Sequence, residues 1–192
     1  RVGPGAPRLA RPARTRAAVK PPAAPPKPAL PQAAADVLSA WRTHNAIQLQ
    51  LIQSLERKQV TAQAPGTRGR DVANQLLHCH QVRLGWLFFF EHGRRPKPEE
   101  LELPDKPTKA KLKSAFTKSG KAIEQFLERA LRGEAKVHMH GKSPTRWFTY
   151  LVSHEAHHRG AIALTLKLAG QKLPDEVAMN GFWMSWISGA AD

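Results

Sequence analysis

Tyr150-Leu151-Val152-Ser153-His154-Glu155-Ala156-His157-His158-Arg159-Gly160-Ala161-Ile162 is the stretch on which the reading of this chain turns. It lies in a segment with no proline after Pro144 and no helix-breaking turn before Gly170. Ser143-Pro144 supplies an N-cap followed by a proline at the first helical position, so a helix is predicted from there to about Ala169. His154 and His158 stand four residues apart and lie one above the other on such a helix. His157 is rotated by roughly 60° from the first and 100° from the second. Leu151, Ile162 and Leu166 flank the cluster and turn it towards a core. A pair of histidines four apart is commonly a polar surface feature, but beside an apolar flank it is also a metal-binding arrangement that needs a third ligand from elsewhere.

Three further helices follow from the apolar spacing to the N-terminal side. The first runs from Ala33 to about Lys58, with Val37, Trp41, Ile47 or Leu51, and Leu55 inward. Pro65-Gly66-Thr67-Arg68-Gly69 ends that region, and Val72, Leu76, Cys79, Trp86 and Phe90 mark a second helix from about Arg70 to Glu91. A proline-rich connection from Gly93 to Pro107 precedes a third, which starts at the N-cap Thr108 and is closed by Gly133. Its inward residues are Leu112, Ala115, Phe116, Ile123, Phe126, Leu127 and Leu131. No segment alternates as a strand, so the chain is all-α, a four-helix bundle with two long connections. Phe182-Trp183-Met184-Ser185-Trp186-Ile187 is too apolar for a free tail and is expected to pack across the bundle, with Trp183 and Trp186 sealing the core.

The 192 residues carry 30 Lys and Arg against 15 Asp and Glu, a net charge of +15. Residues 1–35 hold seven of those cations, no acid and nine of the sixteen prolines, which leaves +8 on residues 36–192. Such a basic Pro/Ala/Arg-rich tail cannot bury enough apolar surface to offset its ordering entropy and is expected to be disordered. The single bundle domain is then 36–192. The apolar run Leu84-Gly85-Trp86-Leu87-Phe88-Phe89-Phe90 is far short of the ~20 residues that span a bilayer. One cysteine, Cys79, requires no oxidising compartment, and a cytoplasmic address is the default.

His78 and His80 flank Cys79, the centre of the apolar stripe of the second helix. Each lies about 100° to one side of it, so periodicity does not choose between them as the third ligand. Three histidines with open positions would form a catalytic rather than a closed structural metal site. His154-Glu155-Ala156-His157-His158 also matches the zinc-protease pattern H-E-x-x-H. The extended form of that pattern needs glycine at 161 and histidine at 164, where this chain has Ala161 and Leu164. A glutamate ligand at Glu176 would lie beyond Gly170 and Pro174, and no strand is available to hold an extended peptide.

Taken together, four helices, His78 with Arg83 five residues on, and His154-x-x-His157-His158-Arg159-Gly160 resemble the DinB-like (DinB/YfiT) superfamily of metal-binding four-helix bundles. The likeness extends to His44-Asn45, Val72-x5-His78, Tyr150-Leu151-x-x-His154-Glu155, Ala169-Gly170 through Leu173-Pro174-Asp175, and Gly181-Phe182-Trp183-x-x-Trp186, roughly residues 36–187. The resemblance implies that His78, His154 and His158 bind one divalent metal, commonly zinc, nickel or iron, and it selects His78 over His80. Ala161 stands where the family commonly has glutamine, which puts in question a hydrogen bond near the site but not the ligands.

Characterised relatives include thiol-dependent S-transferases and a mycothiol-dependent isomerase. The resemblance therefore implies either a metal-dependent enzyme, transferring a low-molecular-weight thiol or activating water for hydrolysis, or a bundle without turnover. Homodimers are common among relatives. Glu155 points about 100° from His154 and is assigned a surface or supporting role. Arg159 is expected to bond a neighbouring helix or a carboxylate, and Cys79 to be a small core residue. His138 and His140 are read as part of a solvated loop. A basic nucleic-acid-binding or non-catalytic interaction bundle is the competing reading. Against it, Lys106, Lys109, Lys111, Lys113, Lys118 and Lys121 are spread around one helix rather than along a stripe, so only non-specific adhesion to nucleic acid is expected.

Overall fold

The computed structural model describes residues 28–188. Four long helices carry the fold: α1 (Gln32–Ser54), α3 (Val72–His92), α4 (Lys109–Leu131) and α5 (Pro144–Leu168). A single turn of helix, α2 (Arg57–Val60), follows α1, and the chain continues after α5 into a π-helical segment (Val177–Met184) and a last turn, α6 (Ser185–Ser188). Each long helix packs on two neighbours, in the cyclic order α1, α4, α3, α5. The architecture is a four-helix bundle, and no strand occurs among the described residues. No helix among them is long and apolar enough to cross a membrane.

Local chemistry sets the boundaries. Asp71 caps α3 by accepting from the amide of Asn74 at 2.7 Å, and Gly93 ends that helix in the left-handed conformation, φ 70°. Thr108 and Ser143 cap α4 and α5 in the same way, and Pro144 occupies the first turn of α5. The first helix departs from the expected single span. Leu55 is extended, and Glu56 and Gln59 form a reciprocal capping box that starts α2, so the helix stops at Ser54 instead of reaching Lys58. It also begins at Gln32, four residues ahead of the domain boundary expected at 36. Residues 1–27, most of the expected disordered tail, lie outside the described residues.

The core falls into two apolar clusters. One holds Leu51, Leu76, Cys79, Leu112, Phe116 and Ile162, and the other Trp41, Phe90, Ile123, Phe126, Trp147 and Leu151. Between them in register, every long helix contributes a buried polar residue: His44 and Gln48 from α1, Arg83 from α3, Ser119 from α4 and Glu155 from α5. In the C-terminal segment Phe182 packs on the first cluster, as expected of this stretch. Trp183 and Trp186 do not seal the core, being 62% and 36% exposed. Gly181 is buried, and a Cβ there would lie 2.9 Å from the Gln50 side chain. That close approach, with π-helical winding, turns Gly181 and Phe182 inward and Trp183 and Met184 outward.

Candidate metal centre

α5 presents two faces within three residues. Glu155 points into the core and is fully buried, while His154 and His158 are half-buried and face α3. One residue of helix is a turn of about 100°, so fixing Glu155 inward fixes His154 outward. Arg83 holds Glu155 in a bidentate pair, Nε to Oε1 at 2.6 Å and Nη2 to Oε2 at 2.7 Å. Gln48 donates to Oε2 at 2.9 Å, and His44 Nε2 lies 3.0 Å from the same oxygen. The Arg83 guanidinium also donates to Asn45 Oδ1 at 2.8 Å and lies between the rings of Trp41 and Phe116, 5.0 and 4.5 Å from their centroids. Burial pushes the Glu155 carboxyl up, but the charge of Arg83 and the hydrogen bonds from Arg83 and His44 outweigh it and hold the group well below the usual carboxylate range. Burial keeps His44 neutral, so its Nε2 carries the proton that faces Glu155.

The histidines converge outside this layer. Ligand atoms of His78, His154 and His158 all lie within 4.8 Å of one another, with ring centroids 5.3, 5.0 and 4.7 Å apart. A tetrahedral zinc site sets its nitrogens about 3.3 Å apart, so small ring rotations bring three such atoms onto one ion. Two observations fit the set to a divalent metal. Burial, then the neighbouring cationic groups, lowers the pKa of His158 to about 4, and burial also lowers those of His78 and His154, which favours the neutral, ligating form. The buried Nδ1 atoms of His154 and His158 have no hydrogen-bond partner among the described residues, so the protein leaves this polar capacity unmet.

The other residues singled out from sequence take different places. His80 is buried against α4, with Nδ1 3.1 Å from Ser119 Oγ and Nε2 3.4 Å from the Glu102 carbonyl, and stands apart from the cluster. His157 is exposed, and Glu176 is exposed at the start of the C-terminal segment. Glu155 is not a surface residue, because Arg83 on the buried stripe of α3 demands an acid opposite it. Arg159 bonds no carboxylate among the described residues. Its guanidinium lies 5.6 Å from the Phe182 ring, and its buried Nη1 has no partner among the described residues. Cys79 is a core residue, and burial, then the charge of Glu155, raises its thiol pKa. His138 is exposed, but His140 packs on the rings of Trp86 and Tyr150, 4.6 and 4.8 Å between centroids, rather than standing in solvent.

The inward Glu155 also bears on the zinc-protease reading, in which this residue must reach the metal's water. Its carboxylate is instead fully committed to Arg83, Gln48 and His44 on the core side of the helix. Sequence reasoning missed the partnership of Glu155 with Arg83, although the signal was present: Arg83 falls at helical spacing with Leu76 and Cys79 on the apolar stripe.

Residues 30–186 match the family model described as DinB family. No curated protein matches the chain.

Proposed function

Because the chain belongs to the DinB family, we propose that His78, His154 and His158 hold one divalent metal ion and that the protein is a metal-dependent enzyme of the thiol-transfer type. The observation that carries the metal assignment is the convergence of three imidazoles from α3 and α5 on one point, with the buried Nδ1 atoms of His154 and His158 left without a partner among the described residues. A divalent ion held there supplies an open coordination position and a positive charge that lowers the pKa of a bound thiol or water.

What the chain's own residues do favours the thiol over water. Activation of water profits from a nearby general base, and the carboxylate beside the histidines, Glu155, is locked in its pair with Arg83. Asp71, near His78, spends one oxygen on capping Asn74. A thiol bound to the ion would release its proton to bulk water at its lowered pKa, and the thiolate would attack an electrophilic carbon, forming the S–C bond as the leaving group departs with its electron pair. Cys79 does not supply that thiol, since it is buried and burial raises its pKa. The nucleophile in this reading is a bound low-molecular-weight thiol, the class that the resemblance to characterised DinB relatives implies. Arg83 and Glu155 act as positioning residues by setting the rotation of α5.

Metal content tests the assignment. Elemental analysis follows loading with zinc or nickel and removal of excess, on the parent, His78→Ala, His158→Ala, His80→Ala and His157→Ala. The expected result is about one ion per chain in the parent and in the His157 and His80 variants, with loss in the other two. Because His80 is buried, circular dichroism establishes that its variant is folded, and the exposed His157 variant serves as the second control. A parent without metal after loading, or His78→Ala with full metal, overturns the proposal.

A further inference from the structure

His78 of the histidine cluster borders a groove of about 760 Å³ along α3 and the connection that follows it, within the size range of small-molecule sites. His78 also borders a smaller recess of about 440 Å³. The wall is aromatic. Trp86 lies 6.0 Å from Phe89 and 5.7 Å from Tyr150 between centroids, and Tyr150 stacks at 5.8 Å on His154. A continuous apolar face thus runs from the groove to a histidine of the cluster.

The charge of the lining is one-sided. Arg70 and Arg95 both border the groove and no carboxylate does. Both are exposed, and neither forms an ion pair among the described residues. The contrast with the next residue is direct: Arg94 is neutralised by Glu100, with Nη1 to Oε2 at 2.8 Å. Two uncompensated guanidinium groups beside an aromatic wall suit planar anionic groups, which arginine binds through paired donors.

We propose that this groove binds a small organic anion, its flat apolar body on Trp86 and Tyr150 and its negative charge favoured by Arg95 and Arg70, which both border the groove. The inference rests on the proposed metal site for which end of the ligand reacts, but not for the binding itself. It assigns the substrate class as an acidic aromatic or similarly flat molecule rather than a neutral or cationic one.

The probe is 2-naphthoate, set against the neutral 2-naphthalenemethanol, titrated calorimetrically into metal-free and zinc-loaded protein. Naphthoate is expected to bind about tenfold more tightly than the alcohol, and added salt is expected to reduce that preference. Arg95→Gln and Arg70→Gln, both at exposed positions that leave the fold intact, should each lower the preference severalfold, and Arg95→Glu more. Trp86→Ala should weaken acid and alcohol alike, while Lys113→Gln on α4, outside the groove, should change neither. Equal affinity for acid and alcohol, or a preference untouched by the arginine substitutions, overturns the inference. If the protein takes up zinc but no naphthoate, the groove assignment falls and the metal site stands. If it prefers naphthoate but takes up no metal, the groove stands and the metal site falls.

Discussion

Glu155 shows how one buried residue decides what its neighbours can do. It neutralises Arg83 inside the bundle, and the α-helical turn of about 100° then directs His154 and His158 towards His78. Replacing it by glutamine keeps the shape but leaves Arg83 charged, buried and without a counter-ion. Breaking a buried pair in this way costs about 3–5 kcal/mol, which for a domain of this size is a fall in Tm of roughly 6–20 °C. The pH dependence has a definite sign. The folded carboxyl lies below its unfolded value of 4.5, so its contribution is complete above that pH and is lost as the pH falls and the unfolded chain takes up the proton first. Thermal melts of parent and Glu155→Gln should therefore differ fully at neutral pH and converge below about 4.5. A gap that is absent at neutral pH would remove the pair from the account of stability. The rotation argument itself was available from the sequence, which placed Glu155 off the His154 direction. Which side it faced was not, because that depends on Arg83 from another helix.

At the scale of elements, the helices most legible in sequence were those with side-chain caps. Asp71, Thr108 and Ser143 each sit at the start they mark, and Gly93, Gly133 and Gly170 follow their helices in left-handed conformations. The break after Ser54 was hidden because Leu55 continues the apolar periodicity into the core. Only the Glu56 and Gln59 spacing betrayed it. Exposure of Trp183 and Trp186 was hidden for another reason: a π-helical turn shifts the face that a 3.6-residue period assigns. Close packing of α1 on α4 leaves a signature at Gly120, where an added Cβ would collide with the Asn45 side chain. Asn45 accepts from Arg83, so it cannot move away without breaking that buried hydrogen bond. Gly120→Ala is therefore expected to lose about 1–3 kcal/mol despite its better helix propensity. Gly160→Ala on α5, where a Cβ meets nothing within 4 Å, should gain up to about 1 kcal/mol. Denaturant titration of the two variants checks both signs, and a stabilised Gly120→Ala would show that α1 and α4 separate at little cost.

On the whole-molecule scale, the polar layer divides the core and the histidine cluster joins two of the helices that surround it. His78 belongs to α3 and the other two histidines to α5, so an ion shared among them adds a second tie between helices already joined by packing and by the Arg83–Glu155 pair. Binding at such a site stabilises the folded chain, because the unfolded chain does not hold the three rings together. At free zinc a thousandfold above the dissociation constant the linkage is worth about 4 kcal/mol. For a domain of this size that corresponds to a rise in Tm of roughly 8–16 °C. Scanning calorimetry should show that rise in the parent, its removal by a chelator, and no rise in His158→Ala. In Glu155→Gln the outcome separates two roles of the polar layer. If the layer only stabilises, the variant melts lower but gains the full increment from zinc. If it also sets the rotation of α5, zinc raises its Tm less, since part of the binding energy is used in turning His154 and His158 towards His78. The smaller increment is the expected result, because among the described residues no other acid reaches Arg83 in the core and nothing else on α5 pairs with α3 by charge.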